Sequence, residues 1–244
     1  MSTNKEEGIV GKKILYAQDM SESGKKLVQE AGFEIVMAPK EDPELMKELI
    51  KDCDAVISKT FFLTEDILSS GKNLQVVAKH GVGIDNVVDL ATATKLGLYV
   101  VNTPCANSDS VAEKTIAGIL AFSQKIVKQH LATKELDFES QNCGGMHEIN
   151  NKTIGLIGLG NIGRRVAKIA AEGFSMKVIG YDPFVKKEML PDYIEYTEDI
   201  NCIYKESDFV SLHVGATPQT IGMIGKEQLK MMKKTAVFVN ISIG

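Results

Sequence analysis

Ten residues, Ile154–Gly163, constrain this chain more than any others. They read Ile-Gly-Leu-Ile-Gly-Leu-Gly-Asn-Ile-Gly, so Gly158, Gly160 and Gly163 stand at G-x-G-x-x-G spacing. An apolar run enters the glycines, and a run of helical pattern leaves them. Asp182 follows nineteen positions after Gly163, at the end of a second apolar run, Lys177–Tyr181. In a strand–turn–helix setting each glycine has its own task. Gly158 makes the tight turn, Gly160 lets backbone approach a pyrophosphate, and Gly163 lets the helix pack close to the strand. The helix start then offers unpaired N–H groups and a positive dipole end to phosphate. Strand, helix, second strand and terminal acid in this order predict a dinucleotide site.

The rest of the chain repeats the pattern around that centre. Strands are expected at Lys12–Ala17, Glu34–Met37, Ala55–Ser58, Leu74–Lys79 and Leu98–Asn102. Helices are expected between them, at Ser21–Ala31 with Gly32 beyond its end, at Glu41–Lys51 opening on Asp42-Pro43, at Thr64–Ser70 and at Leu90–Leu96. Nearly all-apolar strands alternating with helices indicate a parallel sheet covered on both faces. Ser108 to Ala132 carries a broad apolar stripe and predicts one long helix. Glu135–Asn151 reads as loop. A second α/β series follows, with strands at Thr153–Ile157, Lys177–Tyr181, Tyr193–Tyr196, Phe209–Val214 and Ala236–Asn240, and helices at Ile162–Ala171 and Lys226–Met232. The fold class is therefore α/β, with two Rossmann-like or flavodoxin-like parallel-sheet domains, residues 1–105 and 106–244.

Composition narrows the function classes. A length of 244 residues suggests about two domains. A net charge of −4 argues against nucleic-acid and acidic-membrane partners. The polar start, Met1–Glu7, lacks a signal-peptide core, and no run is long enough to span a bilayer, so a cytoplasmic protein is expected. Cys53, Cys105, Cys143 and Cys202 are far apart, without a C-x-x-C pair. Reduced and mostly buried thiols, with no metal site, are expected.

Several further motifs stand in order along the chain. Lys79–Asn86 reads Lys-His-Gly-Val-Gly-Ile-Asp-Asn. Asn102-Thr103-Pro104, Asn107-Ser108 and Ser110–Glu113 follow, then Lys152–Gly155 leading into the glycines, Tyr181-Asp182-Pro183, Ser211–Val214 and Val239–Ser242. With these motifs the chain resembles the D-isomer-specific 2-hydroxyacid dehydrogenases, the family that includes 3-phosphoglycerate dehydrogenase. The resemblance covers nearly the whole chain. It implies NAD as cofactor and hydride transfer at the α-carbon of a small 2-hydroxy or 2-oxo acid, bound in a cleft between the two domains. It further implies that the N–H groups of Val82 and Gly83 meet the substrate carboxylate, a concave anion site of the kind glycine turns build. Ser58 and Lys59 match the place where relatives bring polar groups to the far end of the substrate. Asn107 and Glu113 match the motif that opens the long helix. Asn161 and Ile162 are placed at the pyrophosphate turn, and His213 and Val214 beside the cofactor. Asp182 is expected to accept hydrogen bonds from the adenosine ribose and to favour NAD over NADP. Arg164 and Arg165 are within reach of phosphate, though solvated arginines are the simpler reading. Pairing of relatives through the cofactor domain implies a homodimer.

The resemblance breaks at one motif. The family's Asn-x-x-Arg-Gly reads Asn240-Ile241-Ser242-Ile243-Gly244 here, so Ile243 takes the place of the arginine that polarises the carbonyl. The acid/base histidine and its carboxylate would lie further on. No catalytic residue is therefore assigned. His80, His130, His147 and His213 have no carboxylate partner at readable spacing. The chain reads as truncated, by nature or as a fragment, with its second domain incomplete and inactive on its own. The alternative is a non-catalytic dinucleotide-binding module or a vestigial product.

Overall fold

The computed structural model describes residues 11–84, 86–141 and 144–242. Met1–Glu7, Asp85, Cys143, Ile243 and Gly244, all named above, lie outside the described residues. The chain divides into two compact units, Met1–Asn107 and Ser108–Gly244.

The first unit holds strands β1 (Lys13–Tyr16), β2 (Glu34–Met37), β3 (Ala55–Ser58), β4 (Val76–Lys79) and β5 (Tyr99–Val101). All neighbours are parallel, in the order β2-β1-β3-β4-β5. The connecting helices are α1 (Glu22–Glu30), α2 (Pro43–Leu49), α3 (Glu65–Ser70) and α4 (Leu90–Lys95). Local chemistry starts three of them. Ser21 accepts from the Gly24 N–H, Asp42 from Leu45 with Pro43 in the first turn, and Asp89 from Thr92. Past α1, Gly32 takes a positive φ of 89° and its N–H returns to the Gln29 carbonyl. The end of the helix expected over Glu41–Lys51 tightens into a 3₁₀ turn at Ile50–Asp52. Leu15, Val56 and Val77 are wholly buried at the centres of adjacent strands, against Met46, Ile50, Ile67 and Leu68 of the helices. Each such side chain contributes about 1.5–3 kcal/mol of burial.

The second unit opens with α5 (Ser108–Ser123), α6 (Ile126–Lys134) and α7 (Phe138–Gln141). The single long helix expected over Ser108–Ala132 is therefore corrected to two. Lys125 adopts a left-handed φ of 55° between them. The physical reason is a tertiary partner. The His147 N–H donates to the Ser123 carbonyl at 2.9 Å, and Gln124 Nε2 donates to the His147 carbonyl at 2.8 Å. Bonds from the 144–149 segment thus replace those of a continuing helix.

Five parallel strands follow, β6 (Thr153–Ile157), β7 (Lys177–Tyr181), β8 (Ile194–Tyr196), β9 (Phe209–Leu212) and β10 (Val237–Asn240), in the order β10-β9-β6-β7-β8. Helices α8 (Asn161–Lys168), α9 (Ile200–Glu206) and α10 (Lys226–Met231) accompany them. The helix expected over Ile162–Ala171 loosens into a π turn at Ile169–Gly173. The sequence reading missed α9. Its signal was Asp199, which caps the Asn201 N–H, followed by buried Ile203 and Tyr204.

Candidate functional site

The order of the second sheet reverses direction between β6 and β9, because β7 and β8 build outward on one side of β6 while β9 and β10 build on the other. Ligands of doubly wound sheets bind outside the carboxyl ends of the strands at such a switch point. The glycine motif sits at the end of β6. The His213-Val214 segment sits beside it, at the end of β9.

Each glycine is explained by what surrounds it. Gly158 has a φ of 97°, and a Cβ there would lie 2.6 Å from the His213 carbonyl oxygen and 3.2 Å from Val214 Cγ1. Only glycine fits that turn. A Cβ on Gly163 would run into the Gly158 carbonyl, so the third glycine lets α8 close onto β6. Gly160 differs: its φ is ordinary and a Cβ there would meet nothing within 4 Å. The protein itself has no packing need for glycine at 160, and the space beside it is open. Ile162 packs its side chain on the core behind the site, and Asn161 is exposed at the first position of α8.

Asp182 closes the other side. Its Oδ2 accepts from the Leu159 N–H at 2.8 Å and its Oδ1 from the Phe184 N–H at 2.9 Å. Each oxygen keeps further acceptor capacity for a ribose hydroxyl. Tyr196 donates its hydroxyl to the Asp182 carbonyl at 3.2 Å. The two arginines separate. Arg165 pairs with Asp109 at 2.6 Å and is turned away from the glycines. Arg164 folds back and donates from Nε to the Leu159 carbonyl at 2.7 Å, so it is not a free solvated side chain. Burial lowers the pKa of His213 to about 4, and its Nε2 lies 2.9 Å from Ser211 Oγ. It is neutral at physiological pH and offers its carbonyl side to the turn. His80, His130 and His147 are exposed, and none of the four histidines forms an ion pair with a carboxylate among the described residues.

In the first unit the switch point falls between β1 and β3. Gln18, just past β1, accepts through Oε1 from the N–H groups of Lys59, Thr60 and Phe61 at 2.8, 2.7 and 3.2 Å. Ser58 is wholly buried and donates to the Phe61 carbonyl at 2.7 Å, so its hydroxyl serves the turn. Lys59 is exposed. Lys79 is buried, and its ammonium donates to the Lys59 carbonyl. Burial first, then the charge of Lys59, holds the Lys79 pKa below the usual lysine range. The loop after β4 is braced from one side. Asn102 Nδ2 donates to the Val82 carbonyl at 2.7 Å, and the Gly81 N–H donates to Thr103 Oγ1 at 3.0 Å. The N–H groups of Val82 and Gly83 carry no hydrogen bond among the described residues, and both residues are exposed. Asn107 is exposed at the end of this unit. The sequence alone gave Gln18 and Lys79 no role. A glutamine at a strand end and a lysine closing an apolar strand were the faint signals.

Among the described residues there is no cluster of three potential metal ligands, and no helix is long and apolar enough to cross a membrane. Of the three described cysteines, Cys53 is buried, Cys202 half-buried and Cys105 exposed, which corrects the expectation of mostly buried thiols.

Fold and fingerprint together define a protein of the doubly wound, dinucleotide-binding class. Residues 116–244 match the D-isomer specific 2-hydroxyacid dehydrogenase family, NAD binding domain. The D-3-phosphoglycerate dehydrogenase of Methanocaldococcus jannaschii is 38% identical over 234 residues, 95% of this chain and 44% of that protein. The hydroxypyruvate reductase of Thermotoga maritima is 38% identical over 224 residues, 91% of this chain and 71% of that protein. The NAD⁺-bound 3-phosphoglycerate dehydrogenase of Entamoeba histolytica has a similar structure, with a TM-score of 0.79 at 29% identity, covering 95% of this chain and 72% of that one. The chain belongs to the D-isomer-specific 2-hydroxyacid dehydrogenase family. It spans less than half the length of the phosphoglycerate dehydrogenases it matches.

Proposed function

We propose that this protein holds NAD at Gly158–Gly163 and Asp182 and serves hydride transfer between NAD and a small D-2-hydroxy or 2-oxo acid of the phosphoglycerate or hydroxypyruvate kind. The observation that carries the cofactor half is the contrast among the three glycines: two are demanded by packing, and Gly160 faces open space. Bound NAD supplies the hydride acceptor. The chain's own residues hold it. Gly160 and the start of α8 receive the pyrophosphate, and Asp182 takes the ribose hydroxyls and repels a 2′-phosphate. The His213 carbonyl and Val214 wall the turn. On the substrate side, the unpaired N–H groups of Val82 and Gly83 suit a carboxylate, and Lys59 suits an anionic far end. Asn107 stands with them by resemblance. Calorimetric titration tests the cofactor half. NAD should release heat with a 1:1 stoichiometry and NADP should bind more weakly. Absence of heat from folded protein would sink it.

A second reading, binding without turnover, is favoured by Ile243. An isoleucine carries no charge and donates no side-chain hydrogen bond, so it cannot polarise a substrate carbonyl as the family's arginine does. The 244-residue chain given NADH and hydroxypyruvate should show no turnover above buffer. Measurable turnover that is lost in His80→Gln would overturn this reading.

We also propose a homodimer formed through the second unit. Phe122, Ile126, Val127 and Leu131 on α5 and α6 are all at least half exposed, an apolar surface of the kind that marks an interaction site.

A further inference from the structure

We infer that Arg164 is a positioning residue for the dinucleotide: it aims the Gly160 N–H at the pyrophosphate by holding the Leu159 carbonyl, without needing to touch the ligand. This rests on the NAD reading above. Arg164 is the fourth residue of α8, where a cation opposes the helix dipole and a dipole-matched sequence would place an acid or a neutral residue. Helical side chains lean towards the N-terminus, which carries the guanidinium back over the first turn. There it meets the carbonyl of Leu159 at 2.7 Å, within hydrogen-bond range.

Leu159 is the residue between the first two glycines of the fingerprint, and it is held at three points. Its side chain is wholly buried and packs against Gly180 of β7. Its N–H is taken by Asp182 at 2.8 Å. Its C=O is taken by Arg164. Because the peptide group is planar and trans, fixing the Leu159 carbonyl also fixes the N–H of the next residue, which points the opposite way in the same plane. That next residue is Gly160. Its N–H carries no hydrogen bond among the described residues, and the space beside it is open. Glycine has more backbone freedom than any other residue, so without the arginine this donor would wander. A donor fixed before the ligand arrives costs no ordering free energy on binding.

The same peptides tie the phosphate turn to the ribose acid. Asp182 Oδ2 holds the front of Leu159 and Arg164 holds its back, while Tyr196 fixes the Asp182 carbonyl at 3.2 Å. One connected path runs from β8 through β7 and β6 to α8. Arg165, one residue on, stays out of it through its pair with Asp109.

The test compares wild type with Arg164→Met, Arg164→Lys and Arg165→Met, each shown folded by thermal melting. NAD affinity by calorimetry should fall about tenfold in Arg164→Met, the cost of a lost charge-assisted hydrogen bond. It should recover in large part in Arg164→Lys and stay at the wild-type value in Arg165→Met. Hydrogen exchange without ligand provides the second arm. The Leu159 amide should be protected in wild type and exchange faster in Arg164→Met. Wild-type NAD affinity in a folded Arg164→Met protein would overturn the inference, as would unchanged Leu159 exchange. Absence of NAD binding in wild type itself would refute the cofactor reading instead, and the exchange arm would still decide the brace.

Discussion

Acidification should weaken this fold through His213, and the size of the effect follows from one side chain. His213 has an ordinary pKa near 6.5 when exposed and a folded value lowered to about 4 by burial beside β9. A group whose folded pKa is depressed binds fewer protons in the native state than in the unfolded one. Stability therefore falls as pH drops through the window between these two values and is intact above it. Going from pH 7 to pH 5, the unfolded imidazole becomes protonated and the folded one does not, which costs about 2 kcal/mol. The control is His213→Gln, a side chain of similar size that keeps a hydrogen-bonding partner for Ser211 Oγ. Urea unfolding by circular dichroism at the two pH values gives four stabilities. Groups titrating elsewhere cancel between the proteins. Wild type should lose about 2 kcal/mol more than the variant on acidification. Equal losses would show that His213 is not buried as a neutral ring and would refute the reasoning.

The fingerprint glycines separate folding from binding. Gly160→Ala should melt within about 0.5 kcal/mol of wild type yet bind NAD at least tenfold more weakly, because its Cβ meets only the space meant for phosphate. Gly163→Ala should destabilise by about 1–3 kcal/mol, since its Cβ meets backbone that cannot move aside. Asp182→Ala should weaken NAD more than NADP in calorimetry, narrowing their ratio, because both the ribose acceptor and the repulsion of a 2′-phosphate go with the carboxylate. Leu131→Asp should shift the protein from dimer to monomer mass in light scattering, as a charge in an apolar interface is not solvated.

Much of the fold was legible because its signals are local. Asp42-Pro43 starts a helix through a bond three residues away, and Gly32 ends one by its own freedom of φ. The alternation of apolar strands with helices announced two parallel sheets. The long helix failed as a reading because its apolar stripe continues through Lys125, whereas the bonds that break it come from His147, more than twenty residues on. Helix α9 was missed although its signal was local, Asp199 at its start and apolar Ile200, Ile203 and Tyr204 at helical spacing. At the site, Val82 and Gly83 keep unpaired N–H groups where the resemblance places an anion, while Ser58, from the same reasoning, turns inward to Phe61. Nothing in the order of residues distinguishes those two cases, since strand-end direction depends on the turn that follows.

The sequence by itself determined the dinucleotide fingerprint, its acid at Asp182 and the change at Ile243, because spacing and residue identity are properties of the chain alone. Only the tertiary structure decided which arginine folds back onto that fingerprint. Arg164 and Arg165 are adjacent and chemically identical, and their fates differ through partners that folding supplies: the Leu159 carbonyl for one and the Asp109 carboxylate for the other. Helix geometry turns neighbouring residues by about 100° from each other, so one faces the glycine turn and the other faces α5.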